Sequence, residues 1–287
     1  MINLINLPEI VFRKRRNQKI TKLKKFYILL SGLYYIFAIN KTKGNLFCSL
    51  INIFNTRAGK IYFENNFYYK QLQGNKIYFP NKRIIRVVGD HEQQFERLFS
   101  DYCLEKIEFN SGDLIIDCGA NVGELFFTFL QKNIKLSYVG FEPDPEVYDC
   151  LNKNLPNDQV CHKIALSNKK GKEKIYLDSE GANSSLENFG KDTFTYVETR
   201  TLDSYNFKNI KLLKLEAEGW EPEVLEGAMQ TIKLTEYISV DYGNERGIDE
   251  KSTKVEVTDF LYQNNYKLIA DSRRRKIGLF ANKDFNE

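Results

Sequence analysis

Histidine is nearly missing from this chain of 287 residues: only His91 and His162 are present. A histidine-rich metal centre is thereby excluded. The cysteines (Cys48, Cys103, Cys118, Cys150 and Cys161) are five, an odd number. None are paired at metal-ligand spacing, so they read as buried thiols in a reducing compartment. Neither internal repeats nor low-complexity linkers are visible. The first 25 residues hold a single acid, Glu9, against eight lysines and arginines. The remaining 34 basic and 37 acidic residues give the body a net charge of −3. That balance argues against a body built to grip nucleic acid. Residues 26–39 are apolar between basic flanks, but the run is 14 residues long, against roughly 20 for a spanning helix. Lys41 and Lys43 follow it in place of a small-residue cleavage site. Three readings stay open for this arm: a helix packed on the body, a basic and aromatic segment lying on an anionic membrane through residues 13–39, or a spanning anchor or signal.

The stretch that organises the chain runs over residues 114–123. An apolar strand ends at Asp117, Gly119 and Gly123 bracket a turn, and an apolar run suited to a buried helix follows. Such a turn is expected to leave backbone N–H groups free at a helix start and to invite a nucleotide-like ligand. Beyond it, strands at 136–141, 159–166, 211–215 and 237–241 alternate with helices, one of them beginning at Pro145 and one at 251–264; two further β-rich runs lie near 266–270 and 276–281. An added edge strand is read at 174–177, a small β appendage at 58–88 and a lead-in helix at 92–104. Alternation of this kind predicts an α/β fold with a doubly wound, mostly parallel sheet. The expected organisation is an N-terminal arm (1–57), a β appendage with lead-in helix (58–104) and a main domain (105–287). Ligands of such sheets bind beyond the carboxyl ends of the strands, where Asp117, Glu142, Glu216 and Asp241 all fall.

Neither common phosphate-binding loop is present. Asn121 stands where G-x-G-x-x-G needs its second glycine, and no Lys-Ser/Thr pair follows Gly123. Asp117 before the turn would repel a pyrophosphate and welcome an ammonium, while Glu142 suits the two hydroxyls of a ribose. S-adenosylmethionine is a ligand of that kind. An ordered set of motifs carries a resemblance: Asp-Cys-Gly-Ala-Asn-Val-Gly at 117–123, Phe-Glu-Pro-Asp-Pro at 141–145, Ala-Leu-Ser-Asn at 165–168, Thr-Leu-Asp-Ser at 201–204 and Leu-Lys-Leu-Glu-Ala-Glu-Gly at 213–219. Over residues 83–282 the chain resembles the FkbM-type methyltransferases. One departure is Glu216, where the family often carries Asp.

The resemblance implies a Rossmann-like class I methyltransferase fold, S-adenosylmethionine as cofactor, and methyl transfer to a hydroxyl of a sugar in a glycan, glycolipid precursor or similar metabolite. It implies a cofactor site of Asp117, Gly119, Asn121 and Gly123 at the methionyl part, Glu142 at the ribose, and Ala165, Leu166 and Ser167 beside the adenine. Glu216, Glu218 and Asp241 are the candidate bases, with Lys214 on the same side of its strand as Glu216. Two neighbouring carboxylates are expected to raise each other's pKa. A Mg²⁺ held by Glu216, Glu218 and Asp241 is weighed and not favoured. Trp220 reads as packing or as a platform for a sugar ring, and residues 273–276 as a solvated basic turn or a contact for an acidic acceptor or membrane. Cytoplasmic location is expected, peripheral on the inner face of a membrane if the arm binds one, with no nucleic-acid partner. The rival reading from another class is a non-catalytic membrane-surface or glycan-binding module that keeps the fold.

Overall fold

The computed structural model describes residues 22–54, 59–72, 74–177, 186, 193–272 and 274–285. Arg273 and the basic residues between 13 and 19 fall outside this set. Two compact units divide the chain, Met1–Asp90 and His91–Glu287.

In the first unit, helices α1 (Lys22–Lys41) and α2 (Gly44–Phe54) precede an antiparallel meander of β1 (Ile61–Glu64), β2 (Phe67–Leu72) and β3 (Asn75–Phe79), and a short helix α3 (Ile85–Val88) follows. The turn between β1 and β2 consists of Asn65 and Asn66, both at positive φ, which the twist of a two-residue hairpin requires. Asn52 of α2 bonds both the N–H and the carbonyl of Ile61, fixing the helix on the sheet edge. Phe47, Ile51, Ile61, Ile77 and Phe79 are buried there. Among the described residues no helix is long and apolar enough to cross a membrane. Helices α1 and α2 and the β meander fall in this unit, and the lead-in helix at His91–Asp101 falls in the second.

The second unit opens with α4 (His91–Asp101) and continues β4 (Leu114–Cys118), α5 (Glu124–Gln131), β5 (Ser137–Phe141), α6 (Pro145–Asn154), β6 (Val160–His162), β7 (Ala165–Leu166), β8 (Gly171–Tyr176) and β9 (Phe194–Arg200). Then come β10 (Ile210–Leu215), α7 (Glu221–Glu226), β11 (Thr235–Asp241), β12 (Asn244–Arg246), β13 (Lys251–Ser252), α8 (Lys254–Gln263), β14 (Tyr266–Asp271) and β15 (Ile277–Asn282). Seven strands form one sheet in the order β14-β15-β11-β10-β4-β5-β6. The five from β6 to β11 are parallel, and β15 runs antiparallel to both its neighbours. This is the doubly wound, mostly parallel sheet read from the alternation of elements. The strand order reverses at β4, which lies between β5 and β10, so the crevice of the fold opens at the carboxyl ends of those strands.

One strand differs from the sequence reading. Residues 159–166 form not one strand but two. β6 runs beside β5 only as far as His162, opposite Phe141, where β5 ends. Past that point no neighbour remains, and the chain leaves to pair Ala165 and Leu166 with β9. β9 also takes β8 antiparallel, making a satellite sheet β7-β9-β8 in place of a single added edge strand.

Candidate functional site

Parallel register places Asp117 of β4 opposite Lys214 of β10. Both side chains are buried, and the Lys214 ammonium lies 3.0 Å from Asp117 Oδ1. Tyr138 of β5 donates its hydroxyl to Asp117 Oδ2 at 2.5 Å. The cation that Asp117 receives is therefore the protein's own, not a ligand's ammonium as the sequence suggested. Lys214 also donates to the carbonyls of Cys118 at 3.2 Å and Gly119 at 2.8 Å, and sits 3.3 Å from Glu216 Oε2. Burial alone would pull this ammonium down. Asp117, Tyr102 and Glu216 outweigh it and hold Lys214 well above the usual lysine range.

Above this pair lies the glycine turn. Gly119 has φ +74°, and a β-carbon built there would stand 1.9 Å from the carbonyl oxygen of Glu216. Only glycine permits β4 and β10 to approach this closely as they leave the sheet. The turn differs from expectation in one respect: its N–H groups are all spent internally. Gly119 and Ala120 donate to the Phe141 carbonyl, Asn121 to Glu142 Oε2, Val122 to Asn121 Oδ1 and Gly123 to the Ala120 carbonyl. Asn121 adopts φ +52°, which asparagine tolerates. What the crevice presents is acceptors. Glu142, buried at the end of β5, takes N–H bonds from Asn121 and Asp144 and keeps further lone pairs on both oxygens. Burial pushes its carboxyl up to about 7. A phosphate ligand would meet acceptors here; a ligand that brings hydroxyl donors to Glu142 would be matched.

The acids at the ends of β10 and β11 form a second cluster. Glu216 accepts from the Tyr102 hydroxyl and, at 2.5 Å, from the Arg275 guanidinium. The same guanidinium nitrogen donates to Asp241 Oδ2 at 2.6 Å. Burial would raise Glu216, but Arg275 and Lys214 hold it well below the usual carboxylate range. The mutual raising expected of Glu216 and Glu218 is therefore overturned at Glu216, because two cations reach it. Burial, then the Glu216 carboxylate, push Asp241 up to about 6. Glu245 of β12 is pushed up to about 8, by burial first and then by Asp241 and Glu216, and its Oε2 is buried without a hydrogen-bond partner. The Asp241 and Glu245 carboxylates converge over Gly243, where a β-carbon would meet an oxygen of each at 3.2 Å. Glu218 sits in the turn after β10 with φ +51°. Arg275 fills the place between Glu216 and Asp241 that a shared Mg²⁺ would need. Among the described residues no group of three or more His, Cys, Asp or Glu side chains is placed to hold a metal.

Ser167 is buried and accepts from the Trp220 indole N–H at 3.2 Å, and Trp220 packs on the central core. Glu221 braces the acidic turn by accepting from the N–H groups of Ala217 and Gly219. Of the basic run, Arg274 pairs with Asp101 at 3.4 Å and Lys276 with Asn244, while Arg275 turns inward. Sequence reasoning missed Tyr102, Tyr138 and Glu245 and left Arg275 on the surface. Arg275 had a signal, standing just ahead of the apolar run Ile277–Ala281. Tyr102 had none, since its partner Glu216 is 114 positions away.

The model of the methyltransferase FkbM domain matches residues 117–268, from the buried aspartate of β4 into β14. The chain belongs to the FkbM methyltransferase family. An FkbM domain is a methyltransferase of the S-adenosylmethionine-dependent class. Similar proteins include methyltransferase sdnD of Sordaria araneosa, 27% identical over 46% of this chain and 67% of that protein. The 2-O-methyltransferase NoeI of Sinorhizobium fredii is 24% identical over 56% of this chain and 75% of its own. Among solved structures, a methyltransferase FkbM from Methylobacillus flagellatus aligns with a TM-score of 0.47 and 15% identity, over 69% of this chain and 52% of that one.

Proposed function

We propose that this FkbM protein transfers the methyl group of S-adenosylmethionine to a hydroxyl of a sugar, in a glycan, glycolipid precursor or similar metabolite. The observation that carries the cofactor half is the turn at 119–123, whose donors are spent and which faces the Glu142 carboxylate. Glu142 would hold the ribose hydroxyls, Asn121 and the glycines the methionyl part, and Ala165 and Leu166 the adenine side. The cofactor supplies an electrophilic methyl group on a sulfonium. The chain's own residues have two tasks, to align the acceptor oxygen and to take its proton. Asp241 and Glu245 suit the second task better than Glu216, which Arg275, Tyr102 and Lys214 hold ionised and occupied. A base works best with a pKa near the working pH, and this pair lies in that range. Lys214 acts as a positioning residue, tying the turn to the acidic mouth. For the sugar acceptor, support comes from the resemblance and from the 2-O-methyltransferase relative.

Ribose binding should follow the charge of Glu142. Below pH 7 its carboxyl is protonated and one acceptor is lost. Affinity for S-adenosylhomocysteine is then expected to rise with pH through about 7, by at most about tenfold per unit, and to level off above. Calorimetric titration should show proton release near pH 6.5 in the natural protein and none in Glu142→Gln. A flat affinity across that window would remove Glu142 from the ribose.

The base assignment has its own signature. Asp241→Asn should lower transfer of a labelled methyl group to an oligosaccharide pool by about 10²-fold or more. Glu245, pushed up to about 8, is uncharged where Asp241 at about 6 takes its proton, so Glu245→Gln should leave the acid limb of the kcat/KM profile in place. Activity retained in Asp241→Asn, with the limb unmoved there, would place the base elsewhere.

A further inference from the structure

Helix α1 carries Leu30, Leu33, Ile36 and Phe37 exposed on its outer side, each 45–55% accessible. Helix α2, which follows after two residues, adds Leu46 and Ile53, both at least 60% accessible. These side chains are not frayed ends of a poorly made helix. Opposite them Ala38, Phe47 and Ile51 are fully buried, and the Tyr34 hydroxyl reaches across to the Leu50 carbonyl. The hairpin thus has a packed inner side and an outer side that is also apolar. A helix apolar all round needs a cover on its free face, and a soluble surface rarely leaves such a patch open.

The charge around the patch identifies the cover. Between Glu9 and Glu64 the chain holds twelve lysines and arginines and not one acid. Lys41 and Lys43, at the junction of the two helices, are exposed beside the apolar side chains. A second copy of this surface would bring like charge against like charge. A bilayer with anionic headgroups offers an apolar interior and the opposite sign together. We propose that the outer face of the α1–α2 hairpin rests in the plane of an anionic lipid surface, with Leu33, Phe37, Leu46 and Ile53 inserted and the flanking lysines among the headgroups. To the stretch 13–39 singled out in the sequence, α2 adds Leu46 and Ile53.

The test is sedimentation of the full chain with phosphatidylcholine vesicles, with and without about a third phosphatidylglycerol. The natural protein should bind the anionic vesicles, and more weakly at about 0.5 M salt. Leu33→Glu with Phe37→Glu should lower apparent affinity at least about tenfold, and so should Leu46→Glu with Ile53→Glu, which guards against one pair failing to fold. Absence of binding to anionic vesicles would overturn the proposal. So would equal binding by both glutamate pairs, which would leave charge alone. A dimer seen by light scattering and broken by the same substitutions would assign the face to a second copy. A large fall in thermal midpoint in both pairs, without vesicle binding by the natural protein, would mean that the chain covers the face itself.

Discussion

Replacing Lys214 by methionine is expected to cost the FkbM domain about 3–5 kcal/mol of stability, because it strands a charge in the core. Asp117 is 1% exposed and has no water to turn to. Its remaining neighbour, the Tyr138 hydroxyl, donates one hydrogen bond and carries no charge. The same change frees the carbonyls of Cys118 and Gly119, so binding of S-adenosylhomocysteine should fall with stability. Lys214→Met combined with Asp117→Asn should recover much of the loss, since the pair then leaves together. Denaturant unfolding of the four proteins of this cycle measures the coupling. A loss below about 1 kcal/mol in the single variant would show that the buried ion pair is dispensable. The pH sense follows from the shifts. Lys214 is raised in the fold, so its contribution is complete below its unfolded value of 10.5 and is lost as pH climbs through the folded value. Glu216 is depressed, so its contribution is complete above 4.5 and is lost as pH falls toward the folded value.

Gly119→Ala is expected to cost a comparable amount, on the order of 4 kcal/mol, for a different reason. The left-handed conformation accounts for roughly 1–2 kcal/mol. The rest is steric: the new methyl would stand 1.9 Å from a backbone oxygen held in place by the Glu216 N–H bond to Cys118. Neither strand end can yield without breaking the turn. Gly112→Ala separates the two terms, because Gly112 has φ +92° with nothing within 4 Å of a β-carbon. Thermal unfolding should show a small shift for Gly112→Ala and a large one for Gly119→Ala. Equal shifts would mean that conformation alone is at stake and that the close approach is soft.

The sheet was legible because its signals are local. The four central strands β4, β5, β10 and β11 are short runs, mostly apolar, with an acid at or just past their ends, and the sequence reports that directly. The places of the glycines and Glu142 in the fold were legible for the same reason, being fixed by the strand–turn–helix they interrupt. Where the reading failed, the cause lay in pairing. Residues 159–166 are β-rich throughout, and nothing within them says that their neighbour ends at Phe141. The charge state of Glu216 depends on Tyr102 and Arg275, which the fold brings from opposite ends of the domain. Counting only the acids near it gives the wrong sign.

β15 has a bearing on how the domain is made. It is buried along its whole length between β11 and β14, and Arg275 lies two residues ahead of it. Translation delivers the glycine turn well before this strand. Until residues 277–282 emerge, β11 remains an open edge, and Glu216 and Asp241 face each other without their guanidinium. Between the completion of β11 at Asp241 and the arrival of β15 at Ile277 the nascent chain therefore carries an unpaired strand edge and an acidic pair without its guanidinium. Long-range pairing of this kind is slow to form. Closure of the sheet and neutralisation of the acidic mouth then arrive as one late event.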